Sequence, residues 1–469
     1  MHRSRQTHAP ISNPAPSAAL GTQQLRHVTW SKAWAVCGVL LGICGALRPV
    51  AAAPEQPNII FIMVDDLGKD WISCYGAEGI QTPHIDHLAA NGMRFHNAWS
   101  MPQCTPTRAT LLTGQYPWRT GWVNHWDVPR WGVGYFDWAN YTTFANVMKS
   151  AGYSTAIAGK WQINDFRLEP EALRKHGFDD WAVWTGYETG NPPSGERYWD
   201  AYIHTRTGSK TYKDKFKAMA RYTDKLVGQL VNTLDELKIR DHTLVIFTTD
   251  NGTSGGMRAT VHGRRPSGGK GSKFEGGVCQ PFIVNCPGLV PGDRETDALT
   301  DFSDLLPTFA ELGQAKLPKG VMLDGKSFAP LLLGQADDSP RDWIMALGHG
   351  AGRLDENGVR GTNDFADRVL RDKRYKAWLE HQPKITALYD LKIDPLEQNN
   401  LLNSDKPEHL AALKKFRAII GSQPKVDGRP LYRPRKANSW DKQLQAKAEK
   451  PAGNKSKRER RRQRKASQQ

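Results

Sequence analysis

Two strongly apolar runs, NIIFIMV from residue 58 and TLVIFTT from residue 243, each end in a pair of oxygen-bearing side chains. These are Asp65, Asp66, Asp250 and Asn251. Taken singly, an Asp after a strand is often a helix cap, and Asp-Asn-Gly is often a turn. Together, three carboxylates and an amide form an all-oxygen ligand set that suits Ca²⁺, with Mg²⁺ second.

The segment from residue 251 to residue 277 is rich in glycine and in cationic side chains, His262 and Lys270 among them. Glycine lets backbone amides approach a ligand closely, and the cations favour an anion. A mobile surface loop would have the same composition, but this one directly follows the second acidic pair. Lys160, which ends a short apolar run, would bring another cation to the same edge. A divalent cation surrounded by Lys and Arg describes a site for a sulfate or phosphate ester.

Cys104 stands in the run Cys-Thr-Pro-Thr-Arg, just before an apolar, helix-forming segment. Pro106 places residues 104–108 at or just before a helix N-terminus, where backbone amides and the helix dipole favour negative charge. Arg108, in the first turn, would reach back toward position 104. A thiolate at this position would be a nucleophile, although a lone cysteine is more often a buried structural residue.

The elements that carry these residues alternate between strand and helix. The apolar runs at 58 and 243 are typical of strands buried on both faces of a parallel sheet. Between them the pattern predicts a helix over 144–151, a strand over 154–158 and a long amphipathic helix over 213–237. This alternation predicts an α/β fold, a large mixed, mostly parallel sheet sandwiched by helices.

The domain boundaries follow from changes in residue composition and in strand pattern along the chain. Residues 54–339 are predicted to form the catalytic domain, and the short polar strands of 340–425 a small C-terminal α+β subdomain. Residues 426–469 are rich in Pro, Lys and Arg, which predicts a linker and a disordered basic tail.

The net charge of +16 is concentrated at the two ends of the chain. Residues 1–53 contain five basic residues and no acid, and residues 451–469 contain eight basic residues and one acid, which leaves +4 for the rest. The basic leader, the apolar run over 33–47 and the small residues up to Ala53 predict a signal peptide, with a short membrane anchor as the alternative. The mature protein is therefore predicted to be secreted or periplasmic, with no membrane span, and nucleic acid is a poor partner for it.

Taken together, the motifs resemble those of the type I, formylglycine-dependent sulfatases of the alkaline-phosphatase-like superfamily. The family's Cys-x-Pro-x-Arg motif stands here at 104–108 and is followed by Leu-Thr-Gly at 112–114. Further matches are NIIFIMVDDLG from residue 58, TPHIDHLAANGMRF from 82, AGKW from 158, DNG from 250, GGKGSKFEGGV from 268 and LYDLKIDPLEQNNL from 388. The resemblance covers roughly residues 55–420.

The resemblance implies that a maturation enzyme converts Cys104 to formylglycine, whose hydrated aldehyde attacks sulfur. The Ca²⁺ ligands implied in the same way are Asp65, Asp66, Asp250, Asn251 and residue 104. Arg108 would stabilise the nucleophile, and Lys160 and Lys270 would hold the sulfate oxygens. The implied substrate is a sulfate ester, in the first place a sulfated carbohydrate.

The chain departs from the family pattern in two places. Family members usually carry a His two residues after the Lys of AGKW, whereas this chain has Gln162, which can hydrogen-bond the substrate but cannot act as a base. The usual Pro-Phe-Phe-Leu strand with its His-x-Pro turn is missing before the helix at 213, so His204 or His262 would have to supply its substrate contact. Loss of that strand is expected to weaken the sheet beside the strand at 243.

Two other functions stay open on the sequence alone. The same metal site would serve a phosphonate or phosphate ester hydrolase, and a catalytically inactive sulfatase-like protein would bind sulfated glycans without turnover. The two departures favour the inactive protein, whereas the complete Cys104 motif and ligand set favour an enzyme. The leading prediction is an exported, Ca²⁺-dependent sulfuric ester hydrolase.

Overall fold

The computed structural model describes residues 56–125, 136–161, 163–164, 169–184, 212–254, 257–348, 350, 353–355, 358–360 and 363–430. The predicted signal peptide, Gln162, His204 and the chain beyond residue 430 lie outside the described residues. Among the helices that are described, none is both long enough and apolar enough to cross a membrane.

The structure combines thirteen described strands with helices of four to twenty-five residues. The strands are β1 (Asn58–Val64), β2 (Met93–Trp99), β3 (Ala156–Lys160), β4 (Asp180–Trp184), β5 (Thr243–Thr249), β6 (Cys279–Asn285), β7 (Arg294–Asp301), β8 (Ile344–Leu347), β9 (Arg353–Asp355), β10 (Gly358–Arg360), β11 (Arg368–Arg371), β12 (Tyr375–Leu379) and β13 (Ile385–Asp390). The helices are α1 (Pro83–Ala90), α2 (Cys104–Thr113), α3 (Pro117–Thr120), α4 (Phe144–Ser150), α5 (Ala172–Lys175), α6 (Tyr212–Glu236), α7 (Glu275–Val278), α8 (Leu305–Leu312), α9 (Ala329–Leu332) and α10 (Pro407–Gly421).

The main sheet has the strand order β1-β5-β6-β2-β7. β1 and β5 are parallel, as are β2 and β7, whereas β6 runs antiparallel to both of its neighbours. Four of these five strands therefore point the same way, which confirms the predicted mixed, mostly parallel sheet. β5 and β6 are buried along their whole length, as expected for central strands covered on both faces.

Helices cover both faces of this sheet because the side chains of its strands are apolar on both sides. In β5, Leu244 and Ile246 pack in a cluster with residues of α8, such as Phe309. The alternate residues Val245 and Phe247 pack on the other face, in a cluster with residues of α1 and α6. The period of two in β5 therefore places the sheet between two helical layers.

The C-terminal subdomain is an antiparallel sheet of order β13-β12-β11-β8, and α10 packs against it. These elements fall within the segment 340–425 that was predicted as a small α+β subdomain. Its core cluster also contains Trp99 at the end of β2, so the subdomain shares apolar contacts with the main sheet. Just beyond the segment, Asp427 accepts from the fully buried Arg368 at 2.5 Å.

β3 and β4 form a separate two-stranded parallel sheet. The expected weak point beside the strand at 243 is wrong, because β5 is paired on both sides, with β1 and with β6. Among the described strands of the main sheet, β1 rather than β5 has an unpaired edge. Among the described residues, neither the second edge of β1 nor that of β3 has a strand partner.

His176 gives the fold a dependence on pH that can be measured. Its ring is fully buried beside Phe136 and Trp161, and Nε2 lies 3.2 Å from the Phe136 carbonyl oxygen. Burial lowers the pKa of His176 to about 4, so the folded protein keeps the ring neutral. Between pH 6.5 and 4 the unfolded chain binds a proton that the folded chain does not, so folding stability falls as the pH falls.

We expect this residue to remove about 3 kcal/mol of stability between pH 6.5 and 4. Urea unfolding of the wild type and of His176→Phe across this range should show a shallower loss in the variant. His381→Gln, a change at an exposed histidine, is the matched control and should follow the wild type. Parallel pH profiles for the wild type and His176→Phe would contradict the assignment.

Candidate active site

The parallel register of β1 and β5 places the two residue pairs that follow these strands next to each other; both pairs are called the acidic pairs below. Val64 is the partner of Thr249 in the parallel pair, so Asp65-Asp66 and Asp250-Asn251 leave the sheet side by side. The amide of Asp66 donates to Asp250 Oδ1 at 3.3 Å, and Asn251 Nδ2 donates to Asp66 Oδ1 at 2.8 Å. Oxygens of the three carboxylates lie within 4.8 Å of one another, as the sequence predicts.

Helix α2 brings Cys104 to this edge. The helix begins at Cys104, and the side chain of this residue is fully buried. The Thr107 hydroxyl, one turn further on, donates to the Asp250 carbonyl oxygen at 2.8 Å and so ties the first turn of α2 to the end of β5. The predicted position of the cysteine at a helix N-terminus is thus confirmed.

Arg108 links α2, β3 and β5 through its two terminal nitrogens. Nη2 donates to Asp250 Oδ2 at 3.0 Å and Nη1 donates to the Lys160 carbonyl oxygen at 2.9 Å. The Lys160 side chain turns in the other direction, and its Nζ donates to Asp65 Oδ2 at 2.6 Å. Arg108 therefore ties the backbone at the end of β3 to the carboxylate that follows β5.

Lys270 comes from the glycine-rich loop and completes the set of cations. Its Nζ donates to both carboxylate oxygens of Asp66, at 2.6 and 2.8 Å. The loop is anchored beside α2, since the Gly271 amide donates to the Pro102 carbonyl oxygen at 2.7 Å. Gly252 is needed at the start of the loop, because a Cβ there would lie 1.9 Å from the Gly276 carbonyl oxygen.

The charges in this cluster shift one another's pKa values. Burial raises the pKa of Asp65, but the charges of Lys160, Arg108 and Lys270 outweigh it and hold the pKa of that carboxyl below its usual value. Complete burial raises the pKa of Asp250 well above its usual value, and the charge of Asp65 adds to the effect. Burial lowers the pKa of Lys270, but its carboxylate neighbours, Asp66 first, leave it raised, so this lysine stays charged.

Two oxygens in the cluster favour a bound cation. Asp65 Oδ1 and Asn251 Oδ1 are buried and have no hydrogen-bond partner among the described residues. Buried oxygens without a donor are costly, and a divalent cation held by carboxylate and amide oxygens would satisfy them. The residues present therefore fit a hard cation such as Ca²⁺.

Two residues around the site, His125 and Asp70, carry no signal in the sequence. His125 Nδ1 lies 3.5 Å from Cys104 Sγ, although it is 21 residues away in the chain. The buried Asp70 accepts from the Thr253 hydroxyl at 2.9 Å and from the Ala259 amide at 2.7 Å, which fixes the loop after β5. No local motif points to these contacts, because each is made between distant loops.

His262 is the predicted site residue that the structure places elsewhere. It has a left-handed backbone conformation with φ of 46°, and its ring lies directly over Gly76. It lines a separate cavity of about 650 Å³ with Lys69, Tyr75 and His96. Gln162, the other predicted substrate contact, lies outside the described residues.

Comparisons with known proteins place these features in context. The family model described as Sulfatase matches residues 57–215 and 183–315, and the one described as N-sulphoglucosamine sulphohydrolase, C-terminal, matches residues 270–418. The two Sulfatase matches overlap over 183–215, just before and into the start of α6, where the sequence lacks the expected strand.

Two relatives and one solved structure illustrate the similarity. An ulvan-active sulfatase of Formosa agariphila is 28% identical, and the match covers 81% of this chain and 82% of the relative. Human arylsulfatase A is 30% identical, and the match covers 80% of this chain and 89% of the relative. The crystal structure of Ps i-CgsB in complex with k-i-k-neocarrahexaose shares the fold, with a TM-score of 0.65 and 22% identity over 85% of this chain and 98% of that chain.

Proposed function

Because the chain belongs to the sulfatase family and is a sulfuric ester hydrolase, we propose that it is an exported enzyme that acts on sulfated carbohydrates through a formylglycine made from Cys104 and a bound Ca²⁺. The observation that carries this proposal is the cluster at the ends of β1 and β5. It holds three carboxylates, each paired with a cation, beside a fully buried cysteine at the start of α2.

The metal would be held by Asp65, Asp66, Asp250, Asn251 and residue 104. When bound, it would polarise the sulfate ester and lower the pKa of a nucleophilic hydroxyl at position 104. Formylglycine at this position would supply that hydroxyl, and a maturation enzyme would be the partner that makes it. The described residues supply a buried position 104 and three cations that are paired with the neighbouring carboxylates.

Lys160, Lys270 and Arg108 have the clearest roles in this proposal. The ammonium groups of Lys160 and Lys270 already lie against the carboxylates, so they would face a sulfate ester held there and donate to its oxygens. Arg108 is held by Asp250 and by the Lys160 backbone and would stabilise negative charge on the nucleophile. Gln162 stays a proposed substrate contact, whereas His262, which lines a separate cavity, has no role in this proposal.

The similar proteins, rather than the geometry of the candidate active site, support a carbohydrate substrate. One relative is an ulvan-active sulfatase, and one structure with this fold holds a neocarrahexaose. Export to the periplasm or the medium is supported by the basic leader and apolar run at the start of the chain.

The decisive experiment combines mass spectrometry with a substrate panel. The protein is produced with a formylglycine-generating enzyme, residue 104 is identified by peptide mass, and desulfation is measured on sulfated mono- and polysaccharides. An aryl sulfate and an aryl phosphodiester are measured in parallel. We expect an aldehyde at 104 and faster turnover of sulfate esters. Full activity with an unmodified thiol would overturn the mechanism, and confirmed formylglycine with bound Ca²⁺ but no turnover would indicate an inactive glycan-binding protein.

Removing the charge of Asp250 is expected to weaken Ca²⁺ binding by about 10²-fold, because the carboxylate is fully buried in the ligand set. A ligand that binds only the folded state raises the melting temperature. The measurement is therefore the rise in melting temperature that Ca²⁺ causes in Asp250→Asn, compared with the rise in the wild type. Comparing each protein with and without Ca²⁺ separates this effect from the lost Arg108 pair. Asp241→Asn, at an exposed carboxylate, should respond to Ca²⁺ as the wild type does. An unchanged response of Asp250→Asn would exclude this ligand set.

A further inference from the structure

Helix α6 carries a row of cations along one side. Lys217, Arg221 and Lys225 follow one another at intervals of four residues, so they share one side of the helix and are spaced about 6 Å apart along its axis. Arg221 and Lys225 are exposed, and Lys217 is half-buried. Among the described residues, none of the three pairs with an acidic side chain. Like charges at this spacing repel one another, and an anion that lay against the row would relieve the repulsion.

A groove runs beside this row and is called the α6 groove below. It is a cavity of about 600 Å³, lined on one side by Arg221 and Asp224 of α6. Its other side is formed by the segment from residue 79 to residue 83, which leads into α1. Lys217 reaches over the same segment, since its Nζ would lie 3.5 Å from a Cβ built on Gly79. The row of cations therefore forms one wall of the groove.

The α6 groove has a net positive charge. Its one carboxylate, Asp224, is buried and accepts from the Ile85 amide at 2.9 Å, so it is engaged by the first turn of α1. Three cations of α6 stand against this single acid. The exposed His84 lies against Gly228, about one turn beyond Lys225, and adds a polar ring at that end of the groove.

The segment that forms the second wall of the α6 groove also contacts the glycine-rich loop that carries Lys270. Glu78, which precedes this wall, accepts from the Gly263 amide of the loop at 2.6 Å. The same loop exposes Arg264 and Arg265. The groove, the loop and its cations are therefore parts of one basic surface, which lies outside the cluster at the ends of β1 and β5.

We propose that the α6 groove binds a run of sulfate groups on a polysaccharide, at a position outside the candidate active site. Cations in a line fit an extended polymer with repeated anionic groups, whereas a single small anion would engage only one or two of them. Clustered Lys and Arg side chains bind polyanions in a salt-dependent way. The choice of a sulfated polysaccharide as the polyanion rests on the proposed function, because such a polymer is also the proposed substrate.

Binding of the full-length protein to dextran sulfate tests the proposal. The test variant neutralises the row and keeps residues that favour a helix: Lys217→Gln, Arg221→Gln and Lys225→Gln. We expect the test variant to bind about 10-fold more weakly than the wild type at low salt, and its Kd to depend less on salt concentration, because fewer counterions are released. Unchanged binding by the test variant would overturn the proposal.

A matched control separates the groove from the net charge of the protein, to which the basic C-terminal segment also contributes. The control variant removes three exposed cations on or next to α10: Lys406→Gln, Lys414→Gln and Arg417→Gln. It should bind dextran sulfate as the wild type does. Equal losses in the test and control variants would show that only net charge matters and would overturn the proposal. Vesicles of phosphatidylcholine and phosphatidylglycerol are measured in parallel, and a larger loss of vesicle binding than of dextran sulfate binding would assign the groove to a lipid surface instead.

Kinetics distinguish a failure of this proposal from a failure of the proposed function. On a sulfated polysaccharide, the test variant should have a KM about 10-fold higher than the wild type and a kcat within about twofold of it, because the groove holds the polymer but not the reacting atoms. Turnover of an aryl sulfate should be unchanged, and its loss would show that the substitutions disturb the candidate active site and would overturn the proposal. If the wild type turns over no sulfate ester, the proposed function fails, and the dextran sulfate comparison alone decides on the groove.

Discussion

Cys104→Ala is expected to lower kcat/KM for a sulfate ester by about 10⁴- to 10⁶-fold, the loss typical of removing a covalent nucleophile. Cys104 is the first residue of α2, and the first turns of this helix contact Asp250 through Thr107 and Arg108. Alanine cannot be converted to an aldehyde, so both the proposed nucleophile and one proposed metal ligand are lost together. Lys160, Lys270 and Arg108 keep their carboxylate partners in this variant, so the surrounding cluster should persist.

The matched control is Cys286→Ala. Cys286 is also a free, fully buried thiol, but its Sγ contacts the Asp241 carbonyl oxygen at 3.3 Å, at the opposite end of β5 from Asp250. This variant should keep kcat/KM within about twofold of the wild type, because it makes a cavity of the same size away from the reacting atoms. Both variants are compared by steady-state kinetics and by peptide mass at position 104. More than about 1% of wild-type activity in Cys104→Ala would show that another group is the nucleophile.

The sequence predicts the acidic cluster at the ends of β1 and β5 well, because the cluster follows from local patterns. Each apolar run ends where its acidic pair begins, and parallel pairing of Val64 with Thr249 then sets the pairs side by side without further information. The motif at 104–108 is equally local, since Pro106 and the following apolar residues define where α2 starts.

Contacts between distant loops could not be predicted in the same way. His125 approaches Cys104 only because the loop after α3 folds back over α2, and nothing in its own neighbours indicates this. The antiparallel β6 between β5 and β2 is likewise a result of tertiary pairing, since an apolar strand has no intrinsic direction. The position of the open edge at β1, rather than beside β5, depends on that same pairing.

The charged interior of the C-terminal subdomain is a third feature hidden from the sequence. The strand Tyr375–Leu379 reads as short and polar, yet Lys376 is completely buried. Its Nζ lies 2.9 Å from Glu275 Oε1 and 2.9 Å from Glu397 Oε1. Lysine is buried in this way only when it is paired, and the partners come from two other segments of the chain. The residues next to Lys376 in the sequence therefore cannot show whether this lysine is buried or exposed to solvent.

Lys376→Met is expected to lower the free energy of unfolding by about 3–5 kcal/mol, because it leaves the buried carboxylate of Glu397 without its cation and the half-buried carboxylate of Glu275 with one cation fewer. Burial raises the pKa of Glu275, but Lys376 and Arg371 outweigh it and lower the value to about 2, so this carboxylate is charged in the wild type. In the variant Glu275 keeps Arg371 at 3.0 Å, whereas Glu397 keeps the Trp378 indole at 2.8 Å but loses its cation.

Two further variants distinguish this explanation from a loss of packing. Lys376→Met combined with Glu397→Gln removes the uncompensated charge and should recover at least about 1 kcal/mol relative to the single variant. Lys373→Met removes the half-exposed lysine that pairs with Asp338, and should cost less than about 1 kcal/mol. Urea unfolding measures all three, and equal losses in the single and double variants would refute the charge argument. Because Glu275 begins α7 five residues after Lys270, the single variant should also loosen Lys270 from Asp66, so turnover of the folded fraction should fall with stability.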